Sequence, residues 1–453
     1  MASSKKPHPS KTSSNFHDSR LVKHLEGFLS PLIRPGSRLL LAFSGGLDSR
    51  VLLDLLVRLK PILQYELHAM HVHHGLSPNA DSWVTFCKDT CQVFAVPIEI
   101  VRVSVDENGG HGTEAAARHA RYAALQSADA DYILLAHHED DQAETLLLQM
   151  LRGAGVKGLS AMGRQDPVGR YLRPLLDVSR AELHEFARAH GLEWIEDESN
   201  ADTGFDRNYC RHEFLPVLER RFPAARRTLA RSAMHLAEAS ALLDELADLD
   251  ARQGVKEGKL DVRHLAAMSE PRARNLLRWW LSRQGLDMPT TALLQEMLRQ
   301  LVSAKSDACI RMTAGSDTWL RRFRNLAYLE SGSDPAPPET MWRGEPMLQL
   351  PDNSSLLFEE KAGEGLAVRR LGIKHLQIGV RQGGEKFRPD ARRPTRTLKH
   401  LLQEAGMPPS VRQRLPLIYH ENTLVAVPGI GIAAGLQAAG DELGLVISWQ
   451  QRV

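Results

Sequence analysis

Apolar positions in the first two hundred residues come in short continuous runs separated by amphipathic stretches. The runs at 38–43, 65–72 and 97–103, and Tyr132-Ile133-Leu134-Leu135-Ala136, predict strands buried on both faces. Between them apolar residues recur at helical spacing, as in Val51–Lys60, predicted to stop at Pro61, and in the alanine-rich stretch 113–128. Strand alternating with helix predicts an α/β domain built on a doubly wound parallel sheet, Rossmann-like, with helices on both faces. From 212 to 330 the pattern changes to long Leu/Ala-rich helical stripes such as 228–249 and 288–302. A Pro/Gly/Ser-rich break at 331–339 precedes short alternating runs with frequent Gly and Pro, which predict a small α+β domain over 340–450.

Composition narrows the class. The 453 residues are 43% hydrophobic and 25% charged, as in a soluble globular protein. No apolar run approaches the roughly eighteen residues of a membrane span. Cys87, Cys91, Cys210 and Cys309 form no C-x-x-C pair, and that usage fits a reducing cytoplasm. Residues 1–20 are rich in Ser, Lys, Pro and His and read as a disordered tail, with so few acids that an organelle transit peptide stays open. The net charge is only +2 but unevenly spread: residues 366–414 hold twelve Lys/Arg against three acids, an excess of nine that fits a polyanion partner or a solvated basic face.

In a doubly wound sheet ligands bind beyond the carboxyl ends of the strands, so the residues after each strand carry the chemistry. After the first comes Ser44-Gly45-Gly46-Leu47-Asp48-Ser49, leading into a helix. Glycines let backbone amides approach a phosphate, and the helix start attracts negative charge. Ser44 and Ser49 add hydroxyl donors. An aspartate inside a phosphate cradle implies a bridging cation, most simply Mg²⁺, at Asp48. Neither G-x-x-x-x-G-K-[ST] nor G-x-G-x-x-G is present. After the second strand comes His71-Val72-His73-His74-Gly75-Leu76-Ser77, and after the fourth His137-His138-Glu139-Asp140-Asp141-Gln142-Ala143-Glu144. Asp141 and Glu144, three apart, share a helix face from which both can reach a metal held at the loop; acids at a helix start also stabilise it directly. Five histidines at two strand ends raise a transition-metal hydrolase, against which stands the missing H-E-x-x-H spacing.

The pattern S-G-G-x-D-S resembles the pyrophosphate loop (PP-loop) of the ATP pyrophosphatases. With H-V-H-H-G-L-S at 71–77, E-A-A-A-R at 114–118, H-H-E-D-D-Q-A-E-T at 137–145, G-L-S-A-M at 158–162, R-P-L-L at 173–176, D-E-S-N at 197–200, D-R-N-x-x-R at 206–211 and two C-terminal blocks at 381–389 and 397–409, the chain resembles the long, three-part tRNA(Ile)-lysidine synthetases. The resemblance implies a PP-loop catalytic domain at 21–211, a helical tRNA-binding domain at 212–335 and an α+β tRNA-binding domain at 340–450. It implies a ligase that couples ATP and free L-lysine to C2 of the wobble cytidine of a tRNA(Ile) with a CAU anticodon, through an adenylated base. It further implies ATP at Ser44–Ser49, Mg²⁺ held by Asp48, Asp141 and Glu144, and Arg118, His137 and Arg207 on phosphate or base, with Arg211 a further member. Asp141 or His137 would take the proton from the attacking amine, Glu114 is one candidate for lysine selection, and a homodimer is expected. Other readings are a PP-loop tRNA thiolase, which would need cysteine pairs this chain lacks, and a non-catalytic ATP-bound RNA-binding protein, which would not need three converging acids.

Overall fold

A computed structural model describes residues 11–104, 113–166, 168–304, 310–331, 340–351, 354–389, 391, 394–407 and 409–450. Cys309, Arg392 and Arg393 lie outside the described residues, as do the side chain of Glu114 and residues 1–10 of the expected tail; its second half, from Lys11, is not disordered but opens the first helix. The chain divides into two compact units, Met1–Leu243 and Asp244–Val453.

The first unit begins with α1 (Lys11–Leu29), β1 (Arg38–Ala42), α2 (Leu47–Leu63), β2 (Glu66–His73), α3 (Ala80–Val93) and β3 (Ile98–Arg102). It continues with α4 (Thr113–Gln126), β4 (Tyr132–Leu134), α5 (Glu139–Leu151), α6 (Val156–Leu159), β5 (Tyr171–Leu172) and α7 (Arg180–Ala189). The strands form one sheet in the order β3-β2-β1-β4-β5, all pairs parallel. Alternation along β1 explains its continuous apolar run. Leu39, Leu41 and Phe43 point into a core shared with α1, α2, α3 and α7, while Leu40 points into a second core with Met70, Ile133, Leu135 and Leu125. Both faces are covered, as a parallel sheet requires. β1 lies between β2 and β4, so connections leave it in opposite directions and a crevice opens at its carboxyl end.

Three findings depart from the sequence reading. First, α2 does not stop at Pro61 but runs through it to Leu63, closing where Gln64, at φ 55°, donates its N–H to Lys60. Pro61 has no N–H for the Val57 carbonyl, and the helix ends two residues after it. Second, the first unit extends past residue 211. It takes in α8 (Asp206–Tyr209), a π-helical turn at 210–214, α9 (Leu215–Arg221) and the first part of α10 (Ala225–Gly254). Cys210 and Leu215 pack on Leu147, and the Arg226 guanidinium reaches Asp140 at 3.2 Å. Third, the region expected to be helical to 335 carries a five-stranded sheet.

That sheet, in the second unit, comprises β6 (Val255–Lys256), β7 (Lys259–Asp261), β8 (Ile310–Gly315), β9 (Thr318–Phe323) and β10 (Leu326–Ser331), in the order β6-β7-β10-β9-β8. It packs on α11 (Val262–Ala267), α12 (Glu270–Arg283) and α13 (Thr291–Ser303) around Trp280, Met297 and Leu320. Beyond residue 340 lie a five-stranded and a three-stranded sheet, a short hairpin and two short helices around two further cores, in keeping with the α+β expectation. No described helix is long and apolar enough to cross a membrane.

Candidate active site

The loop between β1 and α2 is built around Gly45. Its φ is +84°, and a Cβ there would stand 2.6 Å from Ile195 Cδ1 and 3.0 Å from Cys87 Sγ. Both neighbours are fixed: Ile195 donates its N–H to Gly45 O at 2.9 Å, and Cys87 is fully buried, its thiol pushed up to about 12 by burial. Such a thiol is packing, not a nucleophile. The serine hydroxyls brace the loop from within. Ser44 Oγ and Ser49 Oγ are 3.0 Å apart, and Ser49 Oγ donates to Gly46 O at 3.1 Å. Gly46 caps α2 with extended backbone and no side-chain hydrogen bond, so no side-chain acceptor covers the amides of the first turn, at Leu47, Asp48 and Ser49. A helix start of this kind binds anions.

The second wall is the start of α5, which His138 caps in an unusual way. The His138 N–H donates to Asp141 Oδ2 at 3.0 Å, and the Asp141 N–H donates to His138 Nδ1 at 3.4 Å. That leaves the ring proton on Nε2, which lies 3.6 Å from Asp48 Oδ2 and 3.5 Å from Asp141 Oδ2. Burial opposes a charge on His138, but Asp141, Asp48 and Asp140 together raise its pKa above the ordinary histidine value. His138 therefore joins the loop to α5. Sequence reasoning gave it no role; its place directly before three acids at a helix start was the available signal.

Behind His138 sits a lattice of buried charges. Glu144 is fully buried between two guanidiniums: Arg207 Nε donates to it at 2.9 Å, and Arg211 donates through Nε at 2.7 Å and Nη2 at 2.9 Å. Arg207 Nη2 and Arg211 Nη2 also reach Asp141 Oδ1, at 2.9 and 3.3 Å. Burial works against the Asp141 charge, but His138 and Arg207 hold its carboxyl well below the usual carboxylate range. Asp141 is thus a fixed anion and a poor base.

The expected metal triad does not converge in this arrangement. Among the described residues no three His, Cys, Asp or Glu side chains are grouped to hold a metal ion. Asp141 and Glu144 are already neutralised by arginines that would repel a cation. Asp48 fits one better: its Oδ1 is buried and has no hydrogen-bond partner.

Two other expectations shift. Arg118 is exposed on α4, its guanidinium 4.9 Å from the Tyr122 ring centroid and 3.3 Å from Tyr122 Oη; nothing places it at the loop. Burial, aided by Arg173, Arg207 and Arg121 and only partly opposed by Asp141, lowers the His137 pKa to about 3. Burial therefore favours the neutral form of His137. Of the histidines expected after the second strand, His71 and His73 fall within β2, and His71 is buried against Phe43 O at 3.0 Å and serves the fold.

Partnerless buried atoms cluster at this edge of the sheet. His74 Nδ1 after β2, Asp48 Oδ1 after β1, His137 Nδ1 after β4 and Arg173 Nε after β5 follow four adjacent strands, and none has a hydrogen-bond partner. Buried polar atoms are nearly always paired in a finished structure. Nitrogen groups beside one carboxylate oxygen match a phosphate chain and a cation.

Comparison with known proteins identifies the family. The PP-loop domain family matches residues 17–218, the TilS substrate binding domain residues 260–328, and the TilS substrate C-terminal domain residues 376–449. The tRNA(Ile)-lysidine synthase of Nitrosomonas europaea is 44% identical over 92% of this chain and 93% of its own length. The chain belongs to the tRNA(Ile)-lysidine synthase family. Family members from Azoarcus sp. and Coxiella burnetii are 43% and 39% identical over 92% and 95% of this chain, covering 92% and 96% of their own lengths. Membership makes the chain an ATP-dependent ligase with a PP-loop domain, and the thiolase and non-catalytic readings are not favoured.

Two outcomes follow from the site. Gly45→Ala forces a left-handed backbone onto alanine and drives its Cβ into Ile195, costing about 2–4 kcal/mol and lowering ATP affinity; adding Ile195→Ala recovers only the steric part. Urea unfolding and ATP titration of the single and double variants check this. His137 binds its proton only near pH 3 when folded but at its ordinary 6.5 when unfolded, so stability is lost as pH falls below that value. Between pH 7 and 5.5 this costs about 1 kcal/mol. Urea unfolding of His137→Asn should lose that much less than wild type over the same interval, and equal slopes would contradict the assignment.

Proposed function

We propose that the Ser44–Ser49 loop binds ATP so that the C2 oxygen of the wobble cytidine of a CAU-anticodon tRNA(Ile) attacks its α-phosphorus. The bond to the β-phosphate breaks and pyrophosphate leaves. The ε-amine of free L-lysine then attacks C2, the C2–O bond breaks, AMP leaves, and the nitrogen loses its proton. The observation that carries this reading is the partnerless edge just described, together with the uncovered amides at Leu47, Asp48 and Ser49.

Charge develops on the departing pyrophosphate, where fixed amide donors are most effective. Mg²⁺, when bound, neutralises phosphate charge, and Asp48 would hold it. His138 sets the charge environment of Asp48, its Nε2 lying 3.6 Å from Asp48 Oδ2. His137, kept neutral, offers hydrogen bonds to phosphate or base without adding charge. Asp141 and Glu144 with Arg207 and Arg211 keep the start of α5 rigid. Neither Asp141 nor His137 is basic enough to store the amine proton, so both are assigned to hydrogen bonding.

The C-terminal unit supplies cations for the tRNA body. Of the basic block, Arg381 lies 3.6 Å from Glu385 and Arg396 pairs with Glu404, whereas Lys386 and Lys399 are exposed and have no ion pair among the described residues. Such contacts position an RNA without reading its sequence.

Nucleoside analysis of CAU-anticodon tRNA(Ile) incubated with the full chain, ATP and lysine tests the activity. Lysidine is expected with lysine present, and AMP attached to tRNA with release of pyrophosphate when lysine is omitted. Asp48→Asn should stay folded and lose at least about 100-fold in pyrophosphate release. A tRNA with no new nucleoside, or near-wild-type turnover in Asp48→Asn, contradicts the reading.

A further inference from the structure

Among the described residues, the only exposed aromatic side chains are Tyr209 at 55%, Phe214 at 39% and Phe222 at 61%. All three fall within one short stretch, directly beside Arg207 and Arg211 of the charge lattice. Single exposed apolar residues are commonplace; three exposed aromatics gathered in one short stretch, with no other exposed aromatic among the described residues, are not.

The local backbone explains the grouping. The turn at 210–214 is π-helical, with hydrogen bonds five residues apart, so Phe214 stands one turn beyond Tyr209. Val217, also exposed, continues the row. The opposite side of the same helical segment is spent on the core, where Cys210 and Leu215 pack on Leu147. The exposed row is therefore not the segment's core stripe turned outward.

Charge identifies the partner. Residues 205–231 contain seven arginines and three acids. Arg207, Arg211 and Arg226 are committed to Asp141, Glu144, Asp140 and Glu219. Arg220, Arg221 and Arg231 have no carboxylate within ion-pair distance among the described residues, Arg227 forms no ion pair but interacts electrostatically with Glu139, and Arg221 lies 5.7 Å from the Phe222 ring centroid. Aromatic faces interleaved with free guanidiniums are the chemistry of single-stranded nucleic acid, with bases stacked on rings and phosphates on cations.

We infer that Tyr209, Phe214 and Phe222, with Arg220, Arg221 and Arg227, form a stacking platform for the unpaired nucleotides flanking the target cytidine. This rests on the reading that RNA is the substrate. It gives the site a way to hold an anticodon loop open beside the phosphate edge, independently of the tRNA body.

The test uses the full chain and an anticodon stem-loop oligoribonucleotide carrying 2-aminopurine in place of the adenine after the target cytidine. Wild-type protein should quench the 2-aminopurine fluorescence. Tyr209→Ala, Phe214→Ala and Phe222→Ala should each weaken stem-loop binding about 5- to 150-fold and reduce the quench, while Tyr209→Phe keeps both. The side chains are exposed, so thermal melts of the variants should match wild type. If wild type forms lysidine on full-length tRNA but the folded alanine variants bind the stem-loop as wild type does, the platform is overturned and the activity stands. If wild type forms no lysidine, the activity fails, and fluorescence quenching still reports on the platform. Loss of a dimer in sedimentation, with RNA affinity unchanged, would assign the surface to a second copy and overturn the inference.

Discussion

A buried carboxylate is tolerated only when its charge is matched, and Glu144 with Asp141 meets that demand through Arg207 and Arg211. The remainder of the site inherits its geometry from this lattice. Asp141 can cap α5 with His138 because its other oxygen is already held by arginines. His138 can face Asp48 because its ring is fixed by that cap. The loop after β1 and the start of α5 are thereby joined through side chains, although they come from different strands. Removing one member of such a lattice leaves an uncompensated buried charge, typically worth about 3–5 kcal/mol. The arrangement is thus costly to alter and rigid while intact.

Much of the catalytic unit was legible because its signals are local. An apolar run followed by S-G-G-L-D-S and a helical pattern fixes a strand, a turn and a helix start within a few residues. Strands alternating with helices give a parallel sheet with both faces covered, but not its strand order. What could not be read is what depends on distant partners. Nothing near Glu144 announces that two arginines some sixty residues later will pair with it. Arg118 sits in a recognisable motif, yet its neighbour one helical turn on, Tyr122, takes its guanidinium.

The missed sheet in the second unit has the same origin. β9 carries Arg321 and Arg322, both buried, in positions that a strand on a core normally gives to apolar residues. Arg321 is matched by Glu330 at 2.6 Å, and Arg322 donates to the carbonyls of Leu301 and Ala304 at the end of α13. These charges break the alternation that would have announced a strand. The late boundary of the first unit likewise rests on Arg226 crossing to Asp140, a contact that sequence spacing does not show.

The site divides its labour by charge. The uncovered amides of α2 and the partnerless atoms His137 Nδ1, His74 Nδ1 and Arg173 Nε follow adjacent strands of the sheet, whereas Asp141 and Glu144 are paired with arginines. Such a site favours chemistry at the α-phosphorus, with the base supplying the oxygen. An isotope experiment tests that claim most directly. With tRNA carrying ¹⁸O at C2 of the target cytidine, the account predicts that the label leaves on the phosphate of AMP as lysidine forms. Unlabelled AMP, with the ¹⁸O recovered in water or retained on the base, would contradict it.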